Sequence, residues 1–169
     1  MKRLLVLVVC LLFASPTFAE KILRFPDSAN LGAPATVTIS GSPLTVVIGD
    51  DTSAQVYNSN VPGTGQFYPP SCAAGETADN GVFVSLGGLI YGPDFDNHPC
   101  GSASNSYTPW SAVSMSPVTG TGTAGDPFTV VIVVDAGTTG LRLTETITYV
   151  NGAAQYDICL LYTSPSPRD

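Results

Sequence analysis

The densest group of chemically able side chains lies between Gly92 and Cys100, where Asp94, Asp96 and Asn97 precede His98. Three oxygen-bearing side chains on one short turn are candidate ligands for a hard cation such as calcium, which takes six to eight oxygens. The segment is not a helix–loop–helix calcium site, because it has no glycine at the sixth position and no glutamate at the twelfth. Asp and Asn also close turns by bonding their own backbone, and that role accounts for the same residues without a metal. Asp50-Asp51 carries the same two readings. Calcium held by Asp94, Asp96 and Asn97 is thus one expectation, and turn capping is the competing one.

His98 is the only histidine. A hydrolytic triad would need a nucleophile and an orienting carboxylate beside it. The chain contains no Gly-x-Ser-x-Gly elbow, and a zinc site would lack its second histidine or a thiolate. His98 is therefore expected to pack or hydrogen-bond within its loop. Asp94 and Asp96 stand too close in sequence to argue for two carboxylates flanking a glycosidic bond. Glu145 is less ordinary, because strand alternation puts it on an apolar face. There it either reaches solvent or a cation at a strand edge, or stays buried as an acid with a raised pKa. Tyr91, Phe95, Tyr107 and Trp110, among Ser and Asn residues, are candidates for a sugar-stacking surface. The alternative is a small core under a long loop. Gly120–Gly125 is glycine-rich, but no Gly-Lys-Ser/Thr follows, so it reads as a turn and not as a phosphate cradle.

Short strands must position these residues. Residues 35–39 and 44–48 are β-branched and separated by Gly41-Ser42-Pro43. Residues 82–91 read as strand broken or bulged at Gly87-Gly88. Residues 128–134 are apolar on both faces, which suits a central strand. From 141 to 150, Leu141, Leu143, Ile147 and Tyr149 alternate with Arg142 and threonines, as in a half-buried antiparallel strand. Asn151-Gly152 is a hairpin signal, and Ala153 to Ile158 would begin the return strand. No convincing helical period occurs. The expected fold is all-β, an antiparallel β-sandwich over 35–158 preceded by a lead segment 20–34.

Composition sets the class. Charged residues are only 11%, and six basic residues stand against thirteen acidic ones. An acidic chain of this kind lacks the basic footprint of a nucleic-acid binder. The first nineteen residues have the order of a secretory signal peptide: Lys2 and Arg3, an apolar run from Leu4 to Ala14, then Thr17 and Ala19 at the small-residue positions. That run is too short to span a membrane, which takes about 20 residues, so the mature chain is expected to carry no transmembrane segment.

Residues Cys159-Leu-Leu-Tyr-Thr-Ser-Pro-Ser-Pro-Arg-Asp169 resemble a translated tagmentation sequencing adapter. The codons TGT CTC TTA TAC ACA TCT and CCG AGC CCA CGA GAC reproduce all of them, and ATC at Ile158 supplies the preceding base. Residues 159–169 are accordingly expected to be artefactual, and the sandwich to be truncated at its C-terminal side. Within 20–157 the basic residues are Lys21, Arg24 and Arg142. The cysteines there are Cys72 and Cys100, which an oxidising compartment would join as a disulfide.

Thr108 to Val131 and Asp135 to Val150 resemble stretches of uncharacterised exported bacterial β-proteins of cell-surface type. The resemblance implies export and a β-fold but no reaction. The expected function is a non-catalytic binding or structural module, secreted or at the cell surface, with a carbohydrate or protein partner. The alternative is the N-terminal β domain of a larger secreted carbohydrate-active protein whose chemistry lies downstream. Calcium-dependent adhesion through Asp94 and Asp96 is a third expectation.

Overall fold

In the computed structural model, which describes residues 34–67 and 72–163, the chain is almost entirely β. Residues 1–19, expected to be a signal peptide, most of the expected lead segment and Tyr68 lie outside the described residues. Three strands, β1 (Thr36–Ser40), β2 (Leu44–Gly49) and β3 (Ala54–Asn58), form one antiparallel sheet in that order. A second sheet has the order β10-β9-β8-β7, with β7 at Ser111–Met115, β8 at Phe128–Asp135, β9 at Arg142–Tyr149 and β10 at Asp157–Thr163. The third is small: β4 (Val84–Leu86) pairs antiparallel with β5 (Leu89–Gly92), which runs parallel to β6 (Thr108–Pro109). The all-β expectation holds. Gly87-Gly88 breaks 82–91 into a hairpin, with Leu86 directly opposite Leu89.

Alternation decides what is buried. In β9, Leu143, Glu145, Ile147 and Tyr149 face inward while Arg142 and the threonines face outward. β8 is central, as its apolar run predicts, and sends Val130, Ile132 and Val134 to the same face. Ile39, Leu44, Val46 and Ile48 of the first sheet join them in one core, to which Tyr91 and Trp110 also belong. Two sheets sharing one apolar interior are the sandwich solution to burying half of each strand.

Tyr149 ties the layers together. Its hydroxyl accepts from the Leu44 amide (3.2 Å) and donates to the Ala153 carbonyl (3.1 Å). Its ring passes so close to Gly41 that a Cβ there would collide with it. Asn151, the hairpin residue, accepts from the Ser42 amide through its side chain (2.8 Å), and the Gly152 amide donates to the Ser42 carbonyl. The two turns that the sequence marks most strongly therefore meet at one end of the sandwich.

At the far edge, β10 pairs along its length with β9, from Asp157 opposite Thr148 to Thr163 opposite Arg142. All seven of its residues are exposed, including Leu160, Leu161 and Tyr162. Its backbone completes a ladder while its side chains add nothing to the core.

Candidate functional site

The polar centre lies on the β2–β3 turn and the loop closed by the Cys72–Cys100 disulfide. Gln55, directly paired with Val47, lies on the first sheet's other face, where its amide donates to Cys72 Sγ (3.2 Å). The disulfide thereby clamps the loop onto that sheet. The β2–β3 turn carries one backbone outlier, Thr52 at φ +74°. That conformation is rare for a β-branched residue and costs on the order of 1–3 kcal/mol. Thr52 is buried, and its hydroxyl accepts from the Val82 amide (3.2 Å).

The strained turn presents Asp51 to His98. Asp51 Oδ2 lies 2.7 Å from His98 Nε2, and Asp79 Oδ1 lies 3.2 Å from His98 Nδ1. The His98 side chain has no solvent exposure, and both carboxylates are nearly as buried. A ring with a carboxylate at each nitrogen is best satisfied as an imidazolium donating twice. Burial alone would depress the His98 pKa, but the hydrogen bond and charge of Asp51, then the charge of Asp79, raise it above the usual value. Burial likewise opposes ionisation of Asp51, yet the bonds from His98 and Ser53 hold its carboxyl below the ordinary range.

The remaining oxygens are also engaged. Asp51 Oδ1 accepts from the Ser53 amide (3.1 Å) and hydroxyl (2.5 Å), and Oδ2 also accepts from the Asp94 amide (3.0 Å). Asp79 Oδ2 accepts from the amides of Ser102 (2.9 Å) and Ala103 (2.8 Å). Gly101, at φ +146°, lets that backbone close on the carboxylate, where any Cβ would strike it. Neighbouring Asp50 is pushed up to about 6, first by burial and then by the charge of Asp51.

The candidate calcium residues are built into the same loop. Asp94 Oδ1 accepts from the Asn105 side-chain amide (2.7 Å) and Oδ2 from that of Asn97 (2.6 Å). Asp96 Oδ1 accepts from the Asn105 backbone amide (3.2 Å). Amide donors thus stand where a cation would approach Asp94, which makes no side-chain cap bond to the 3₁₀ turn Phe95–Asn97; the Phe95 amide donates instead to the Asn105 side chain (2.9 Å). Among the described residues, no three His, Cys, Asp or Glu side chains form a metal-holding group.

The four aromatic candidates do not form one surface. Tyr91 and Trp110 are buried in the main core and stack with centroids 6.0 Å apart. The Trp110 indole N–H donates to the Val82 carbonyl (2.9 Å). Phe95 and Tyr107 are half-buried and meet Phe83 edge-to-face at 5.8 and 5.1 Å. Two of the four rings are therefore interior and the other two are packed edge-on. Burial, followed by the surrounding Asp51, Asp79, Asp94 and Asp96 charges, raises the Tyr107 pKa.

Glu145 does not reach solvent. It is 2% exposed, lies between Ile132 of β8 and Leu160 of β10, and its Oε2 has no hydrogen-bond partner. Burial, reinforced by the Asp51 charge, pushes its pKa up to about 7. The expectation of an edge glutamate is overturned because the alternation continues without a bulge through position 145. Asp79 carries no local motif and was not a sequence candidate. Its only signal is an acid within the Cys72–Cys100 loop that also contains the lone histidine.

Comparison with protein-family models, curated proteins and solved structures finds no match. No helix among the described residues is long and apolar enough to cross a membrane.

Proposed function

We propose that the chain is an exported β-sandwich module that acts by binding or spacing at or outside the cell surface and catalyses no reaction itself. The observation that carries this reading is the closed state of its polar centre. Both nitrogens of His98 face carboxylates, and each carboxylate is otherwise occupied by amide or hydroxyl donors. A general base needs a free lone pair within reach of a substrate. An imidazolium locked between two buried acids offers none, and serves instead as a strut joining the β2–β3 turn to the disulfide loop. Export is supported by the Lys2–Ala19 signal pattern and by a disulfide, which persists in oxidising compartments.

The test follows the chain from export to contact. Expressed in a secreting bacterium, the protein should leave the cytoplasm and begin at Glu20 by intact mass. The purified protein should then be retained by cell-envelope fractions or by a polysaccharide array, with no turnover of glycoside, ester or peptide substrates. A product accumulating in proportion to purified chain would overturn the non-catalytic reading. Retention of the first nineteen residues in the cytoplasm would overturn export.

A further inference from the structure

The glycine-rich stretch Gly120–Gly125 leads into Asp126-Pro127, the only Asp–Pro bond in the chain. Thr123 and Asp126 exchange both backbone hydrogen bonds across Ala124-Gly125, each at 3.1 Å. The Asp126 carbonyl then accepts a second amide, that of Thr121, also at 3.1 Å. The same Thr121 amide donates to Asp126 Oδ2 (3.0 Å), so the side chain is folded back towards its own carbonyl group. Gly120 and Gly122, at φ +82° and +78°, permit this approach. A Cβ on Gly120 would strike the Pro127 carbonyl, and one on Gly122 the Phe128 ring.

Two amides on one carbonyl oxygen, at the distance at which an oxyanion is held, polarise the carbon that bears it. That carbon is the acyl carbon of the Asp126–Pro127 bond, and a carboxyl stands beside it. Pro127 has no N–H, so its nitrogen cannot close an imide ring on the side chain. We propose that Asp126–Pro127 is a self-cleavage site, in which the Asp126 carboxyl cuts its own peptide bond while the Thr121 and Thr123 amides hold the oxyanion. One carboxyl oxygen bonds to the Asp126 carbonyl carbon. The C–N bond to Pro127 breaks, and the carboxyl proton leaves on the proline nitrogen, which becomes a secondary amine. The resulting cyclic anhydride takes up one water and opens to the carboxyls of a C-terminal Asp126. Asp126 is exposed, so water reaches it.

The segments against this turn, 116–121, 127–129 and 148–152, carry no charged side chain. Their one titratable group is the Tyr149 phenol, which is buried and bonded to Leu44 and Ala153. Asp157, opposite Thr148, is the next acid along that register. Protonation of the Asp126 carboxyl itself therefore governs the step, which belongs to acid conditions. The cut falls between β7 and β8, which stay laddered to each other, and the Cys72–Cys100 disulfide lies wholly on one side of it. A nicked chain thus keeps its fold and separates only when unfolded. Each chain reacts once and on itself, so the cleavage is independent of the binding or spacing role.

Denaturing mass spectrometry of the full exported chain after incubation at pH 5 tests the proposal. Two fragments are expected, one ending at Asp126 and one beginning at Pro127, formed at a rate independent of protein concentration. The rate should fall roughly tenfold or more in Asp126→Asn, and likewise in the wild-type chain at pH 8. It should fall as far in urea at pH 5, where the two amides are withdrawn and the Asp–Pro bond remains. Position 126 is exposed and Asn keeps an oxygen for the Thr121 amide, so this variant does not threaten folding. An intact chain, a cut that persists in Asp126→Asn, a rate that rises with concentration, or an equal rate at pH 8 overturns the proposal. An equal rate in urea also overturns it, because the cut would then be the ordinary acid lability of any Asp–Pro bond.

Discussion

His98 is held by charge on two sides, so removing any one of the three partners leaves an uncompensated group in the interior. Breaking a buried pair in this way typically costs about 3–5 kcal/mol. Asp51→Asn and Asp79→Asn should both lower the urea midpoint, and Asp51→Asn more, because Asp51 lies closer to the ring (2.7 Å against 3.2 Å) and does more to raise its pKa. Equal, small effects would show that the ring is neutral and indifferent to its neighbours. At Asp94 the question is whether amides or a cation hold the carboxylate. With Asn97 and Asn105 already donating, millimolar calcium should leave the melting temperature unchanged. A rise would mean that calcium binds the native chain, since a ligand selective for the native state stabilises by mass action.

At the scale of elements, the disulfide closes a loop of sequence separation 28 over the first sheet. On the chain-entropy account, removing it costs roughly 3–4 kcal/mol. The Cys72→Ser, Cys100→Ser double variant should lose that much in denaturant unfolding, with the β8–β9 ladder melting at the same midpoint if the sandwich is one cooperative unit. β10 makes the opposite prediction. Leu161→Thr and Tyr162→Thr, both on exposed positions, should change stability by about 0.5 kcal/mol or less. The strands that the sequence reveals are β1 and β2, as β-branched runs on either side of Gly41-Ser42-Pro43, β8 by its continuous apolar run and β9 by its alternation. β3, β6 and β7 are not legible. Ala54–Asn58 mixes polar residues because its Gln55 serves the disulfide loop and not the interior, and β6 is only two residues long. The polar centre is half legible for a related reason. His98 and the two cysteines declare themselves by scarcity, whereas Asp79 reaches His98 only through the folded path of the loop.

At the scale of the molecule, the buried ionisable groups combine into one pH dependence. Glu145 has a folded pKa raised from 4.5 to about 7, so the fold prefers its protonated form. Its penalty is absent below about pH 4.5 and grows until about pH 7, on the order of 3 kcal/mol for such a shift. Asp50, raised to about 6, acts in the same direction over a lower window. His98, raised above 6.5, stabilises fully below that value and loses its contribution as pH climbs through the raised one. Asp51 opposes the others. Its depressed pKa stabilises above 3.8, and that contribution disappears as pH falls through the lowered value. Acidic net charge adds self-repulsion as pH rises. The maximum of stability should therefore lie near pH 4–5 and decline through neutrality, instead of sitting on the usual plateau around pH 5–8. Chemical denaturation from pH 3.5 to 8.5 checks this. Glu145→Met keeps the side-chain length and removes the acid, so it should raise the midpoint at pH 8, leave it little changed at pH 4.5 and flatten the slope between. A wild-type curve that rises towards pH 8, or a slope that Glu145→Met leaves intact, would place the Glu145 carboxylate in contact with water or a cation and remove it as the source of the acid preference.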